Sequence, residues 1–148
     1  MLTTEAILEM WKKDSIIDDT KLDQVTIDKA RMHAKYLEMF QLTKRNIKKV
    51  EKDLKKLKFD KTLWYSGRMT REEMDARGWR YDPLGGLKVM KSDVQNYVEV
   101  DPDVVRSQEG LDELMNTFET LEEIMGAIRW RHSDIRNVLD YKKFTAGC

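Results

Sequence analysis

The stretch that decides the fold runs from Lys21 to Tyr65 and reads KLDQVTIDKARMHAKYLEMFQLTKRNIKKVEKDLKKLKFDKTLWY. It contains neither glycine nor proline, the residues that most often interrupt a helix. Its apolar residues recur every three or four positions, which is the spacing of one face of an α-helix. The stretch therefore predicts one long helix. At about 1.5 Å per residue such a helix extends more than about 60 Å, so part of it must pack against another helix or another subunit.

Helical patterns also lie on either side of this stretch. Residues 3–13, TTEAILEMWKK, predict a short helix with Thr3 or Thr4 as its N-cap. Residues 108–144 predict a second long helix, because apolar residues fill eight of nine a and d positions of a heptad repeat and His132 fills the ninth. A heptad repeat of this length favours association with other helices. The eight apolar residues are Leu111, Leu114, Phe118, Leu121, Met125, Ile128, Ile135 and Leu139.

Composition agrees with an all-α fold. Charged residues make up 36% of the 148 residues and aromatic residues 9%, which is typical of solvated helices rather than of sandwiches or barrels. The length suits one domain over residues 1–148, which we expect to be a helical bundle with coiled-coil-like packing. Its predicted parts are the N-terminal and long basic helices (1–65), a loop and connecting segment (66–107) and the C-terminal helix (108–148).

The connecting segment is the least regular part of the sequence. Residues 66–86 hold four of the seven glycines and predict the main loop of the chain, with one helical turn at TREEMDA. Residues 87–104, LKVMKSDVQNYVEVDPDV, are compatible with either a short helix or an extended piece. Asp101, Pro102 and Asp103 within them have the pattern of a turn that leads into the last helix.

The residue inventory argues against several classes of protein. The single cysteine, Cys148, excludes an internal disulfide and favours a reducing cytoplasm, and the two histidines provide no zinc-ligand spacing. No apolar run is long enough for a signal peptide or a membrane span. Phosphate-binding loops, nucleophile elbows and dinucleotide turns are also missing. We therefore expect no catalytic residues, no metal and no cofactor.

The formal net charge is zero, but the charges are separated along the chain. Between Lys44 and Lys61 there are nine Lys or Arg against three acidic residues, whereas from Glu99 to Met125 there are nine acidic residues against one Arg. A positive middle and a negative later segment allow anion binding at one surface while another repels anions.

The basic residues of the middle segment lie on one side of the predicted helix. At about 100° per residue they fall within an arc of roughly 140°, with the apolar residues opposite. Such a face can neutralise phosphates along a strand. The alternative is an ordinary solvated face of a bundle helix, although few glutamates intervene to form the usual ion pairs. The residues of the arc are Lys44, Arg45, Lys48, Lys49, Lys52, Lys55 and Lys56.

Aromatic residues follow the basic residues directly. Trp64 and Tyr65 precede Ser66, Gly67 and Arg68 in the sequence WYSGR. Aromatic rings beside cations suit unpaired nucleic acid, because every base offers a face for stacking. Trp64 lies on the apolar side of the helix and is predicted to be buried, so Tyr65 is the expected exposed ring. The loop after them has a similar mixture of cations and rings, for which the alternative is a disordered tether.

Four segments resemble one family, UvsY, the recombination mediator of T-even-like bacteriophages. They are WKKDSIIDDTKL, WYSGR, VEVDPDV and the terminal KKFTAGC, and they occur in the same order along nearly the whole chain. The resemblance implies a ring-like homo-oligomer, a hexamer or heptamer, that binds single-stranded DNA in the cytoplasm of the infected host. It also implies that the protein helps a RecA-like phage recombinase to load onto strands coated by the phage single-strand-binding protein, without a membrane partner.

The resemblance also assigns roles to parts of this chain. In the family the final helical region is linked to oligomerisation and a basic segment just before the S-G-R motif to DNA binding. Here that basic segment corresponds to Lys55, Lys56, Lys58 and Lys61, with Arg68 inside the motif. The chain departs from the family by placing Phe59 and Asp60 between its lysines. Two other functions stay open from the residues alone: a helical protein-interaction scaffold, and an RNA-binding or nucleoid-type protein.

Overall fold

The structure, a computed structural model, describes residues 2–147, so Cys148 lies outside the described residues. Six α-helices and no strand are found within this range, which confirms the all-α prediction. The helices are α1 (Thr4–Asp14), α2 (Leu22–Tyr65), α3 (Arg71–Arg77), α4 (Lys91–Glu99), α5 (Pro102–Arg129) and α6 (Arg131–Thr145). No helix among the described residues is long and apolar enough to cross a membrane.

The first two helices begin and end where the sequence predicts. Thr3 is the N-cap of α1, and its hydroxyl accepts a hydrogen bond from the backbone N–H of Ala6 at 3.2 Å. α2 is continuous over 44 residues. It ends in a Schellman motif, in which Gly67 has φ 73° and the N–H of Arg68 donates to the carbonyl of Leu63 at 2.8 Å. The WYSGR motif is therefore the C-terminal cap of α2.

The segment between the two long helices is not one irregular loop, because it contains the helices α3 and α4. Thr70 caps α3 by accepting from the N–H of Glu73, and Gly78 ends α3 with φ 71°. The ambiguous residues 87–104 contain α4 and the start of α5. Asp101 caps α5, because its Oδ1 accepts from the N–H of Asp103 at 2.9 Å, while Pro102 occupies the first helical position. The predicted turn at Asp101 is confirmed, and the helix after it begins six residues before Gln108.

The predicted continuous helix over 108–144 is wrong, because the helix is interrupted at Trp130. There α5 ends and α6 begins, and Arg131 rather than His132 is buried. The guanidinium of Arg131 donates to the carbonyls of Asp14, Ser15 and Ile16 at 3.2–3.3 Å. These carbonyls end α1 and have no helical partner. Arg131 therefore caps α1 from a distant part of the sequence.

The helices form two compact units, and α2 and α5 contribute residues to both. The first unit consists of residues 1–46 and 113–148. Its core includes Ile7, Tyr36, Leu121 and Ile128, each with 0% exposure. Complete burial of an aliphatic side chain contributes about 1.5–3 kcal/mol. The phenol of Tyr36 donates to Asp14 Oδ2 at 2.9 Å, which satisfies the hydroxyl at the edge of this core.

The second unit consists of residues 47–112. One cluster in it joins Leu54 of α2 to Val94, Val98 and Val104. A second cluster joins Trp64 to Met69, Met74 and the ring of Trp79, so that residues 66–79 pack back against the end of α2. The alternative of a disordered tether is therefore wrong for this part of the loop. The division of the chain into parts 1–65, 66–107 and 108–148 of one domain stays a prediction.

Candidate nucleic-acid interface

The basic arc of α2 is exposed, and we call it the basic stripe. None of its cations lies within ion-pair distance of a carboxylate within residues 2–147. Ile47 and Leu54 on the opposite side of α2 are buried, which fixes the orientation of the helix and directs the cations to solvent. The stripe can therefore accept phosphates without first breaking internal ion pairs. Its members are Lys44, Arg45, Lys48, Lys49, Lys52, Lys55 and Lys56.

The expectation that Lys61 lies on the basic surface is wrong. Lys61 is 2% exposed, and its Nζ lies 3.3 Å from Asp101 Oδ2 and 2.9 Å from Asp103 Oδ2. The same ammonium lies 4.4 Å and 4.0 Å from the ring centroids of Trp64 and Trp79. Residue 61 falls on the apolar side of α2, where two carboxylates and two aromatic faces offset the loss of hydration. Lys61 therefore stabilises the second unit.

The expectation that Tyr65 is a free, exposed ring is also wrong. Its hydroxyl donates to Asp101 Oδ2 at 2.6 Å, and its ring centroid lies 4.9 Å from Trp64 and 5.9 Å from Tyr97. Burial and this hydrogen bond raise the pKa of the Tyr65 phenol, which stays protonated as a donor. Tyr65 is half-buried and occupied by these contacts.

Asp101 accepts the hydrogen bond from Tyr65 and also forms an ion pair with Lys61. Burial alone would raise the pKa of Asp101, but the hydrogen bond from Tyr65 and the charge of Lys61 outweigh burial and lower it. Asp101 therefore remains ionised while it caps α5. One carboxylate thus connects the end of α2 to the start of α5.

Lys58 and Arg68 occupy intermediate positions. Lys58 is half-buried, and its Nζ lies 3.4 Å from Glu99, so part of its charge is already compensated. Arg68 is exposed immediately after the cap of α2. It lines a groove of about 720 Å³ in the second unit, together with Lys88 and Lys91. Lys58 and Arg68 remain candidate DNA contacts, and Arg68 is the more accessible of the two.

Phe59 is a candidate contact that the WYSGR motif does not indicate. It is 62% exposed on α2 and lies one turn beyond Lys55 and Lys56. The helical wheel that groups the basic residues places Phe59 near the middle of their arc. This placement is readable from the sequence, whereas the burial of Tyr65 depends on Asp101, far along the chain.

The expectation that the heptad seam faces other subunits is wrong for its centre. Leu121, Met125 and Ile128 are buried against α1 and α2 of the same chain, and Phe118 stacks on Phe40 at 4.6 Å. Leu111 packs on the core of the second unit. Among the other seam residues, Ile135 is 7% exposed, Leu114 is half-buried and Leu139 is 41% exposed.

Other apolar side chains of the C-terminal region are exposed instead. Trp130 and Tyr141 are each 68% exposed, and Phe144 is 81% exposed. These residues and Leu139 are available for contacts outside the chain. The heptad pattern does not distinguish them, because the chain's own α1 and α2 cover the seam that it identifies.

Comparison with known proteins agrees with the six-helix fold. The family described as "Recombination, repair and ssDNA binding protein UvsY" matches residues 10–148. A crystal structure of the bacteriophage T4 recombination mediator protein UvsY, lattice type II, has a TM-score of 0.82 at 23% sequence identity, covering 99% of each chain. The lattice type IV structure has a TM-score of 0.81 at 22% identity, covering 97% of this chain and 99% of that chain.

A comparison with curated protein sequences finds no match. The family match nevertheless extends from residue 10, inside α1, to the last residue, and it includes all four segments that carry the resemblance. The chain belongs to the UvsY family.

Proposed function

We propose that this protein is a non-enzymatic recombination mediator that binds single-stranded DNA as a homo-oligomer. It promotes loading of a RecA-like phage recombinase onto strands coated by a single-strand-binding protein. The observation that supports this proposal best is the basic stripe, whose cations are exposed and have no ion-pair partner among the described residues. Membership of a family described by recombination, repair and ssDNA binding supports DNA as the anion that the stripe binds.

Binding to phosphates accounts for the affinity of the stripe. Each phosphate that a cation neutralises releases condensed counterions, so the affinity depends strongly on salt concentration. The proposed contacts are the seven residues of the basic stripe, with Arg68 and the partly compensated Lys58. Lys61 and Tyr65 are not among them, because their polar groups already bind Asp101.

The oligomer is proposed to form through the exposed apolar side chains of the C-terminal region. Trp130, Leu139, Tyr141 and Phe144 lie outside the core of the first unit, and their burial between subunits would remove apolar surface from water. A ring of six or seven subunits would repeat the basic stripe. Several stripes on one strand act at a high effective concentration, which strengthens binding without any new kind of contact.

The mediator role is inferred from the family, and linked binding offers a physical explanation of it. A strand held by several stripes is bent or wrapped, which weakens its hold on a coating protein and exposes it to the recombinase. The similar T4 protein is described as a recombination mediator. The proposed site of action is the cytoplasm of the infected bacterial host, where phage replication, recombination and repair take place.

Charge removal on the stripe tests DNA binding. We expect the triple variant Lys48→Ala, Lys52→Ala, Lys55→Ala to bind oligothymidine about tenfold or more weakly. The slope of log affinity against log salt should become shallower by about 2, since each single-strand phosphate contributes about 0.7. Fluorescence anisotropy from low to moderate salt measures both quantities, and wild-type protein should prefer the single strand to a duplex of equal length.

A matched control removes the same number of exposed lysines elsewhere. Lys12→Ala, Lys13→Ala, Lys21→Ala changes the net charge equally but leaves the stripe intact, and its salt slope should equal that of the wild type. If both triple variants lose the same affinity for oligothymidine, then the net charge and not the position of the stripe explains the loss. If the stripe variant instead changes the solution mass and retains its DNA affinity, the protein is a scaffold whose basic surface binds protein.

A further inference from the structure

Phe59 differs from every other aromatic residue of the second unit. Within residues 47–112, the rings of Trp64, Tyr65, Trp79 and Tyr97 pack against one another, and Tyr81 donates to Asp75. Phe59 alone among the aromatic residues of this described range has no ring or cation partner, and it is 62% exposed. Its ring is available for a partner outside the chain.

The position of Phe59 on α2 indicates what that partner is. The buried side chains Leu54 and Trp64 lie on the opposite side of the helix, so Phe59 does not belong to the apolar face. Lys55 and Lys56 precede it by four and three residues, which places their Cβ atoms about 5–6 Å from its own. Helical side chains also lean towards the N-terminus, so the ring lies over the turn that carries these two lysines.

We propose that Phe59 is the base-stacking residue of the basic stripe: an unpaired base stacks on its ring while the adjacent phosphates lie against Lys55 and Lys56. This inference rests on the proposed function. The lysines attract single strands and duplexes alike, because both carry phosphates. Only an unpaired base exposes its face to a ring. Phe59 therefore supplies the preference for single strands, and the lysines supply the salt-dependent affinity.

Charge complementarity favours this partner over an apolar protein surface. Exposed cations flank the ring on its N-terminal side, and an apolar surface would remove their hydration without compensation. A nucleic-acid strand compensates for this lost hydration, because phosphates and bases alternate along the strand. If Phe59 instead binds a partner protein, Phe59→Ala should bind oligothymidine as tightly as the wild type does.

The test compares three substitutions at Phe59 on three ligands. The variants are Phe59→Ala, Phe59→Leu and Phe59→Trp, and the ligands are oligothymidine, an abasic strand of the same length and a duplex. We expect Phe59→Ala and Phe59→Leu to bind oligothymidine about tenfold more weakly, within the range of stacking on one ring. Phe59→Trp should retain wild-type affinity. All variants should match the wild type on the abasic strand and the duplex, and in their salt slopes.

A direct contact can be detected separately. Oligothymidine carrying 5-iodouracil should photo-crosslink to the peptide that contains Phe59, and mass spectrometry should identify the modified residue. The solution mass of each variant, measured in parallel, should equal that of the wild type, since Phe59 is far in sequence from the proposed subunit contacts. A changed mass together with weaker binding to all three ligands would overturn the inference.

Other results are equally decisive. If Phe59→Ala binds oligothymidine as the wild type does, the ring does not stack on bases, and the inference fails while the proposed function survives. The same conclusion follows if Phe59→Leu retains full affinity, because apolar volume would then suffice. If wild-type protein itself does not prefer the single strand, the proposed function fails, and the role of Phe59 fails with it.

Discussion

Lys56 and Lys61 lie five residues apart on α2, yet they have opposite environments. Lys56 is exposed, whereas Lys61 is buried between two aromatic rings and two carboxylates. The helical wheel already separates them, since residue 61 falls on the apolar side. The sequence cannot identify the compensating groups, because Asp101 and Asp103 approach Lys61 only in the folded unit. Residue type alone therefore does not show which lysines of α2 are exposed.

The first prediction concerns this buried ammonium. We expect Lys61→Met to lower the free energy of unfolding by about 3–5 kcal/mol, because it leaves Asp101 buried without its cation. Urea denaturation followed by tryptophan fluorescence measures the change. Lys58→Met is the matched control, since its partner Glu99 is exposed and such pairs contribute about 1 kcal/mol or less. Equal losses for the two variants would contradict this account of Lys61.

The second prediction concerns the pH dependence of stability at Asp101. Its folded-state pKa lies below the ordinary value of 3.8, so ionised Asp101 stabilises the fold above that value. This contribution is lost as the pH falls from about 4 through the lower, folded-state pKa. We expect Asp101→Asn to be much less stable than the wild type at pH 7, with the difference shrinking below pH 4. Urea titrations across this range measure the difference, and a constant difference would contradict the assignment.

Local signals suffice for some helices and fail for others. Thr3, the absence of glycine over residues 21–65 and Gly67 determine the bounds of α1 and α2, so these helices can be predicted. The interruption at Trp130 cannot, because it accompanies hydrogen bonds from Arg131 to carbonyls more than a hundred residues earlier. The heptad pattern continues through the interruption and therefore predicts one helix where two exist.

The third prediction tests the link between α6 and α1. We expect Arg131→Met to destabilise the protein by about 3 kcal/mol, because it removes charge-assisted hydrogen bonds to three carbonyls at the end of α1. The backbone amides of residues 14–17 should also exchange hydrogen faster. Arg136→Met, an exposed change on the same helix, should have little effect on either measurement. Unchanged exchange in Arg131→Met would show that this cap is dispensable.

At the scale of the whole molecule, the basic stripe and the exposed apolar side chains have different proposed roles. The stripe could be predicted, because seven cations on one helical face need no tertiary information. The proposed subunit contacts could not be predicted, because the pattern that identifies apolar residues does not tell whether they pack within the chain or outside it. Burial of Leu121 and exposure of Phe144 separate the two groups.

The fourth prediction separates assembly from DNA contact. We expect Tyr141→Glu, Phe144→Glu to lower the solution mass, because two charges would be placed among apolar subunit contacts. Affinity for oligothymidine should fall by about a hundredfold, since single stripes lose the gain from linked binding. Light scattering and anisotropy provide the two measurements. The helix content measured by circular dichroism should stay that of the wild type, and an unchanged mass would contradict the role of these residues.

The enclosure of Lys61 has a chemical consequence for work with this protein. An acylating reagent modifies an amine only when the nitrogen is accessible, and the Nζ of Lys61 is not accessible because Trp64, Trp79 and two carboxylates surround it. The amines of the basic stripe should be modified readily in free protein and protected when a polynucleotide covers them. Lys61 should remain unmodified in both samples, which makes it an internal standard for footprinting the bound strand.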